Sequence, residues 1–546
     1  MINSERDMLM NNKDYDVVIV GAGMAGLTAA AYLSLNHKVA LIEKDASSGG
    51  LLGSFYVDGH LLDKGARGII DSGIIFPMLK QLNLHVDFLD NPIKMMIGED
   101  GVDLINQESL QSYEAMLVKY FPEEKENIAL IMKDITKVMG YMDVLYGIEN
   151  PLFLPKPYSM EYLSKTLLPW MVKFIPNMSK AMKMLDPVDE HLRRYTNNES
   201  LISMIMQHFF EKTPAFFGLS YFTLYMQYHY PKGGTQTMVD VLVNHIKKHG
   251  GEFYNGVEVE KLNPHQKLIH TKQGHTFCYN ECLWAADTTQ LYRYLEGKEQ
   301  LPSKVQAKIK AKEAMIHNKK GADSILSLYL ILNTPASTFK SMFGPHSFFT
   351  PDLSGLHTHS ITLITDSDGK LSDNKQHVFD WVTKVLELNT FEISIPSLRD
   401  ESCSPPGEST LIISTLFDYR LTQHIANLGW YEDFKNHVTH VLTRIFQRKI
   451  PNLDALIKKS LIASPLTIVG RTNNHEGSVT GWSFANKPFP AIFEFLKVSQ
   501  AVKTPIPHVT QAGQWTFNPA GVPVAVLTGK LAADDVEKKL RQGSKT

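Results

Sequence analysis

Residues 16–26 read Asp16-Val17-Val18-Ile19-Val20-Gly21-Ala22-Gly23-Met24-Ala25-Gly26. The first five are a β-branched run of the kind that lies buried on both faces in a parallel sheet. Gly21 permits a tight turn, Gly23 lets a pyrophosphate approach the backbone, and Gly26 allows strand and helix to pack closely. An Ala/Leu-rich helix is expected from Leu27 to about Leu35, its N-terminus offering free N–H groups and a positive dipole end to phosphates. A second strand, Lys38 to Ile42, then ends at Glu43, twenty residues after Gly23. That is where an acid accepts ribose hydroxyls, and a carboxylate there disfavours a 2′-phosphate. Ala25 in the loop and Lys44 beside the acid complete this part of a dinucleotide site. The fold class that follows is α/β with a Rossmann-type nucleotide domain.

Outward from this core, Asp45-Ala46-Ser47-Ser48-Gly49-Gly50-Leu51-Leu52-Gly53 gives a second glycine cluster, followed by Gly59 and Asp63-Lys64-Gly65-Ala66-Arg67. The arrangement resembles the extended dinucleotide motif of flavoprotein oxidoreductases, in which a double glycine runs past the cofactor's phosphates. The resemblance implies FAD rather than NAD, with Gly50, Leu51, Gly65 and Ala66 at the cofactor. Those proteins usually carry Arg after the two glycines, where this chain has Leu51, so the backbone contacts carry over and an Arg contact does not.

More pieces follow along the chain. Tyr230-Pro231-Lys232-Gly233-Gly234-Thr235 precedes an expected helix, Gln236 to Lys248, and Gly251 to Leu262 reads as a strand. Leu283-Trp284-Ala285-Ala286-Asp287 reads as a strand end. Val509 to Gln511 leads to Gly513-Gln514-Trp515, and Asn518-Pro519-Ala520-Gly521-Val522-Pro523 precedes an apolar helix from Val524 to Ala533. With Pro396-Ser397 through Asp400 to Pro405-Pro406-Gly407-Glu408-Ser409, these segments resemble the phytoene desaturase, carotenoid isomerase and retinol saturase family of FAD-dependent oxidoreductases. The matching pieces are spread from residue 16 to about 534.

The resemblance implies a discontinuous, glutathione-reductase-like FAD domain with an α+β substrate domain. It implies non-covalent FAD whose adenine meets the Val259 backbone, with Ala286, Asp287 and Gly513 beside it. Gly521 and Val522 would start a helix whose positive end stabilises reduced flavin. The implied substrate is an apolar isoprenoid, carotenoid, retinoid or lipid whose carbon–carbon double bonds are desaturated, saturated or isomerised. Acid–base candidates are His475 and Glu476 in Gly470-Arg471-Thr472-Asn473-Asn474-His475-Glu476-Gly477, then Arg67 and His229. No second GxGxxG follows a strand, so a built-in NAD(P) site is not expected, and the electron acceptor or donor is not legible. Two rival readings share the architecture: a flavin oxidase of the amine oxidase or protoporphyrinogen oxidase type, and a non-enzymatic prenyl- or lipid-binding protein.

The 546-residue chain is too long for one ordinary core. Its net charge of −2 gives no electrostatic case for nucleic acid. Cys278, Cys282 and Cys403 form no disulfide framework, and no second Cys/His pair completes a zinc site, so no metal is expected. Met1 to Tyr15 lack the apolar run of a signal peptide, and no window is long and apolar enough to span a bilayer. A cytoplasmic protein, soluble or held peripherally at a membrane, is expected. The order of segments gives an FAD-binding domain at 1–110, 225–300 and 455–546, and a substrate domain at 111–224 and 301–454. Strands are expected at 322–333, 358–365 and 410–416. Between 111 and 224 the pattern is helical and greasy, as in Glu123 to Met142. Pro155, Pro157, Pro169 and Pro176 point to short helices with turns. Basic Lys165, Lys173, Lys180 and Lys183 beside exposed Trp170 and Phe174 suit a membrane-facing segment. The aromatic run from Phe209 to Tyr230 reads as core, and as a pocket wall where it meets Lys232-Gly233-Gly234.

Overall fold

The computed structural model of the chain describes residues 12–145, 147–156 and 158–543. The sequence readings at residues 1–11 and Pro157 lie outside them. Two sheets of seven described strands each organise the molecule. In the first, Asn12–Val20 lies between Val39–Glu43 and Thr276–Trp284, parallel to both. Glu252–Asn255 adds in parallel beyond Val39–Glu43, and Val509–Gln511 beside the end of Thr276–Trp284. Val17, Val18 and Ile19 are wholly buried, as expected of a strand covered on both faces. One cover is made by the helices Met24–Leu33 and Val522–Gly543. They cross so closely that a Cβ on Gly529 would sit 2.4 Å from the Ala25 carbonyl oxygen. The expected helix at 236–248 forms as Gln236–Lys248. The expected single strand at 251–262 is two, Glu252–Asn255 and Val259–Asn263, the second turning to pair antiparallel with Leu268–Thr271.

The second sheet runs Ile457–Ala463, Ser324–Leu332, Ser409–Phe417, Phe391–Ser394, His346–Thr350, Ile93–Ile97, Asp100–Leu104. It is antiparallel except where His346–Thr350 meets Ile93–Ile97. Two sequence boundaries shift accordingly. Ile93–Ile97 and Asp100–Leu104 lie before residue 110, and Ile457–Ala463 after residue 455, yet all three belong to the second sheet. Long-range pairing, which no local pattern encodes, draws them there. The strand expected at 358–365 does not form; Leu356–Thr358 and Ile361–Ile364 are 3₁₀ turns, the second capped by the Ser360 hydroxyl accepting from Thr362 N.

A helical layer covers the open side of this sheet, with Ser109–Tyr120, Lys125–Leu145, Glu199–Met206 and Ala215–Tyr225 sharing one core. Met160 to Ala181 corrects the expectation of short helices with turns. It is one helical run, with a π-helical stretch at Leu163–Leu167. Pro169 falls in the first turn of the segment after that stretch, and Pro176 withholds its missing donor from the carbonyl of Val172, on the solvent side. Trp170 and Phe174 are also corrected. Trp170 Nε1 donates to the Val144 carbonyl at 2.7 Å and Phe174 is buried, so both face inward. Among the described residues, no helix is long and apolar enough to cross a membrane.

Candidate cofactor and active site

The glycine loop after Asn12–Val20 opens onto a cleft of about 380 Å³, within the range of small-molecule sites. Local sterics fix its floor. A Cβ on Gly26 would fall 1.9 Å from the Gly21 carbonyl oxygen, whereas one on Gly23 would meet nothing within 4 Å. Gly26 therefore seals the turn against its helix, and Gly23 leaves the phosphate side open. Gly21, Gly23, Ala25, Glu43, Lys44, Gly50, Leu51, Gly65, Ala66, Val259, Ala286, Asp287, Gly513, Gly521 and Val522 all line this one cleft. Of the expected cofactor residues only Gly26 stands behind the wall. Glu43 accepts from Ala22 N at 2.7 Å and from Asp45 N at 2.8 Å, which orients its carboxylate, while burial pushes its pKa up. Asp287 is held the same way, by Thr289 N at 2.6 Å and His475 N at 2.5 Å.

The groups present fit a bound polar dinucleotide. Thr480 Oγ1 and Trp515 Nε1, both on residues of the cleft wall, are buried with no hydrogen-bond partner among the described residues. The site brings together segments from both ends of the chain, and the motifs quoted from the sequence interlock to make it. Asp63, wholly buried, accepts from Ser54 Oγ (2.8 Å), Thr235 Oγ1 (3.1 Å) and Tyr230 OH (3.0 Å), tying the hairpin Ser54–Asp63 to the Lys-Gly-Gly segment. Asp400 accepts from Gly233 N at 2.8 Å, and the Arg399 guanidinium lies 4.1 Å from the Tyr230 ring centre.

The acid–base candidates separate. Arg67 lines the cleft. His475 and Glu476 are not on its wall: His475 Nε2 pairs with the Lys319 carbonyl at 2.9 Å, and Glu476 accepts from Gly321 N at 2.9 Å. They brace the loop whose neighbours, Arg471 to Asn474, do face the cleft. His229 is also off the wall, packed on Phe76 and Phe88 with Asp90 at 3.7 Å.

Sequence reasoning missed the group opposite Arg67. Glu392, on the second sheet, lines the cleft with Ser327 and Tyr329. Its Oε2 accepts from Arg67 Nη1 at 2.9 Å, and its Oε1 pairs with His346 Nε2 at 2.9 Å. The protonation pattern follows from a chain of fixed donors. Arg399 Nη1 donates to Asn91 Oδ1 at 3.1 Å, so the Asn91 amide donates to His346 Nδ1 at 3.0 Å, and His346 Nε2–H is left to donate to Glu392. Burial pushes the His346 pKa down, in keeping with this neutral tautomer. Burial also pushes Glu392 up, but Arg67 and the His346 hydrogen bond outweigh it and hold the carboxyl at about 2. The Arg67 side chain is 2% exposed and that of Glu392 25%, so the cleft meets the carboxylate and not the guanidinium. No motif marks Glu392 in the sequence; only strand pairing brings it here.

The sequence profile of the NAD(P)-binding Rossmann-like domain matches residues 19–82. Prolycopene isomerase 1 of an Oncidium hybrid cultivar is 22% identical over 85% of this chain and 75% of its own. The 1-hydroxycarotenoid 3,4-desaturase of Flavobacterium is 23% identical, over 95% and 98%. The inactive all-trans-retinol 13,14-reductase of Danio rerio is 20% identical, over 95% and 85%. Among solved structures, an oxidoreductase from Methanosarcina mazei superposes with a TM-score of 0.55 at 15% identity, covering 96% of this chain and 100% of that one. Putrescine oxidase bound to putrescine does so with 0.56 at 13% identity, over 96% and 100%. The structural likenesses give the fold, a Rossmann-like domain joined to a mixed-sheet domain. The relatives span most of both chains and are carotenoid desaturases, prolycopene isomerases and a retinol reductase, so this chain is similar in sequence to the phytoene desaturase-like oxidoreductases.

Proposed function

We propose that the chain is an FAD-dependent oxidoreductase that removes hydrogen across carbon–carbon bonds of an apolar isoprenoid-like or lipid substrate, with FAD held non-covalently. One observation carries this reading: a single cleft runs from the glycine cradle and Glu43 to a wall formed by Arg67 and Glu392. FAD, when bound, supplies hydride exchange at its N5 atom. The chain's own part is to hold, orient and manage one proton. The Gly21–Gly26 loop and the N-terminus of Met24–Leu33 suit the phosphates. The N-terminus of Val522–Gly543 turns its positive end toward the same cleft at Gly521 and Val522, where it favours negative charge.

Glu392 is the base the cleft offers for hydrogen removal. A carboxylate kept ionised across ordinary pH has no proton to give, so it serves hydrogen removal better than hydrogen addition. Its low basicity is adequate, because carbon next to a centre losing hydride is strongly acidic. Before the proton moves, its fixed charge steadies positive charge developing on the substrate. Arg67 and His346 position it, with Ser414 Oγ accepting from Arg67 Nη2 at 2.6 Å.

The test is spectroscopic. The purified protein is expected to be yellow and to release free FAD on denaturation. Anaerobic mixing with partly saturated polyenes in liposomes is expected to bleach the flavin. Glu392→Gln is expected to keep the FAD spectrum and slow bleaching by about 10²- to 10⁴-fold, the usual reach of one acid–base group. A colourless protein that takes up no FAD would sink the reading.

A further inference from the structure

A dinucleotide brings two negative charges at its pyrophosphate, yet the glycine loop answers with N–H groups and a helix end alone: the first turn of Met24–Leu33 is Met24-Ala25-Gly26-Leu27, with no cation. Leu51, next after Gly49-Gly50, lines the cleft without charge. The cations on the cleft wall beside the cradle are Lys44, Lys64 and Arg471. Lys44 is committed elsewhere: its Nζ donates to the Gly470 carbonyl and to Asn473 Oδ1, both at 2.6 Å, and its charge is felt by Glu258 and Glu43. Lys64 gives one hydrogen bond, to Ser47 Oγ at 2.7 Å, which leaves two ammonium protons for another acceptor. Arg471 sets Nε and Nη2 on Asp45 Oδ2 at 3.2 and 2.8 Å, and Nη1 lies outside that pairing. Two cations therefore share one carboxylate, a local charge of +1 on the wall next to the phosphate cradle.

Arg471 is also fixed in place. It lies in the last turn of the helix Pro465–Thr472, and the residues that follow are strapped across the cleft. Asn473 Nδ2 donates to Glu258 Oε1 at 2.8 Å, and His475 N to Asp287 Oδ2 at 2.5 Å. A guanidinium delivered on a tethered segment loses little freedom when it binds an anion.

We infer that Arg471 and Lys64 form a cationic clamp for the dinucleotide's phosphates, supplying from the 465–476 segment and from the Asp63–Arg67 turn the charge that Leu51 lacks. The inference rests on the FAD reading and adds to it the residues that hold the phosphates. Asp45 is the resting partner that keeps the Arg471 guanidinium aimed at the cleft until a phosphate shares it.

The experiment compares FAD, ADP and adenosine as probes of the whole chain, by flavin fluorescence quenching and by calorimetry. Arg471→Gln is expected to weaken FAD and ADP by about ten- to a hundredfold, the reach of a charge-assisted pair. Adenosine, which has no phosphate, is expected to change less than about twofold, and its binding shows that the site is still folded. Lys64→Gln is expected to act in the same sense, and Leu51→Arg in the Arg471→Gln background to recover affinity for ADP. A wild-type chain that binds FAD and ADP with Arg471→Gln and Lys64→Gln binding them equally well would overturn the clamp alone. Equal loss of adenosine and ADP would overturn it too, by showing a structural role. A wild-type chain that binds none of the three would overturn the FAD reading and the clamp with it.

Discussion

His208 hides both ring nitrogens from water while Glu392 turns its carboxylate to the cleft, and their surroundings drive them in different ways. Glu392 has a guanidinium and an imidazole on its oxygens and stays ionised. His208 sits among Phe209, Tyr225 and Phe348, and neither ring nitrogen has a hydrogen-bond partner among the described residues. Burial alone pushes its pKa down to about 3. The sign of the consequence is fixed by linkage. In the unfolded chain the imidazole titrates near its ordinary value of about 6.5, and in the folded chain it remains neutral until far lower pH. The stability it contributes is thus complete above about pH 6.5 and is lost as pH falls toward 3. Between pH 7 and pH 5 this amounts to about 2 kcal/mol. His208→Phe, which keeps an aromatic ring in an aromatic cage, is expected to lose about that much less stability over the same interval. Urea unfolding of both proteins at pH 7 and pH 5 measures it, and equal losses would show that His208 finds a partner.

At the scale of elements, the helix pair Met24–Leu33 and Val522–Gly543 joins the two ends of the chain, and one glycine sets the spacing. Because a Cβ on Gly529 would lie 2.4 Å from the Ala25 carbonyl and 3.1 Å from the Thr28 Cβ, Gly529→Ala must push the helices apart. Overpacking of this kind costs about 1–3 kcal/mol. Ala25 and Val522 both line the cleft, so on the proposed FAD reading weaker retention of the cofactor is expected alongside a lower melting temperature. A variant that melts and holds FAD like wild type would refute the close crossing. This contact also shows what the sequence could tell. Gly21 to Gly26, Glu43 and Gln236–Lys248 were legible because spacing within a dozen or two residues encodes their geometry. Gly529 was legible as a glycine in a helix, but the carbonyl it must clear lies at the other end of the chain. Glu392 and His346 were invisible for the same reason: Phe391–Ser394 and His346–Thr350 meet only by strand pairing. The 358–365 segment misled because its alternation of Ser360, Thr362 and apolar neighbours fits a strand, while the Ser360 side chain competes with a ladder by capping a 3₁₀ turn. His475 and Glu476 misled differently. They lie in the right loop, and their side chains are spent on Lys319 and Gly321.

On the scale of the whole molecule, the apolar substrate proposed above would have to reach a cleft buried between two sheets, and one exposed helix face suggests where it would be gathered. Helix Met160–Ala181 packs inward through Trp170 and Phe174 and turns Leu168, Met171, Val172 and Ile175 outward. These four recur at the i, i+3, i+4, i+7 spacing of one helical face, and Val172 is 75% exposed and Ile175 58%. Water offers no reason to hold such a stripe in the open. Lys165, Lys173 and Lys180 lie on the same helix, a pairing of apolar stripe and cations that suits the surface of an anionic bilayer entered from one side. The expected outcome is co-sedimentation of the wild-type protein with phosphatidylcholine vesicles containing phosphatidylserine, weaker with phosphatidylcholine alone and weaker at high salt. Val172→Glu combined with Ile175→Glu puts two charges where acyl chains would lie, and is expected to lower partitioning on the order of tenfold or more. Both positions face solvent, so the melting temperature should hardly move. That separates a lost membrane contact from a lost fold. If the double variant partitions as the wild type does, the stripe is not the docking face, and the substrate must be delivered to the cleft by another surface.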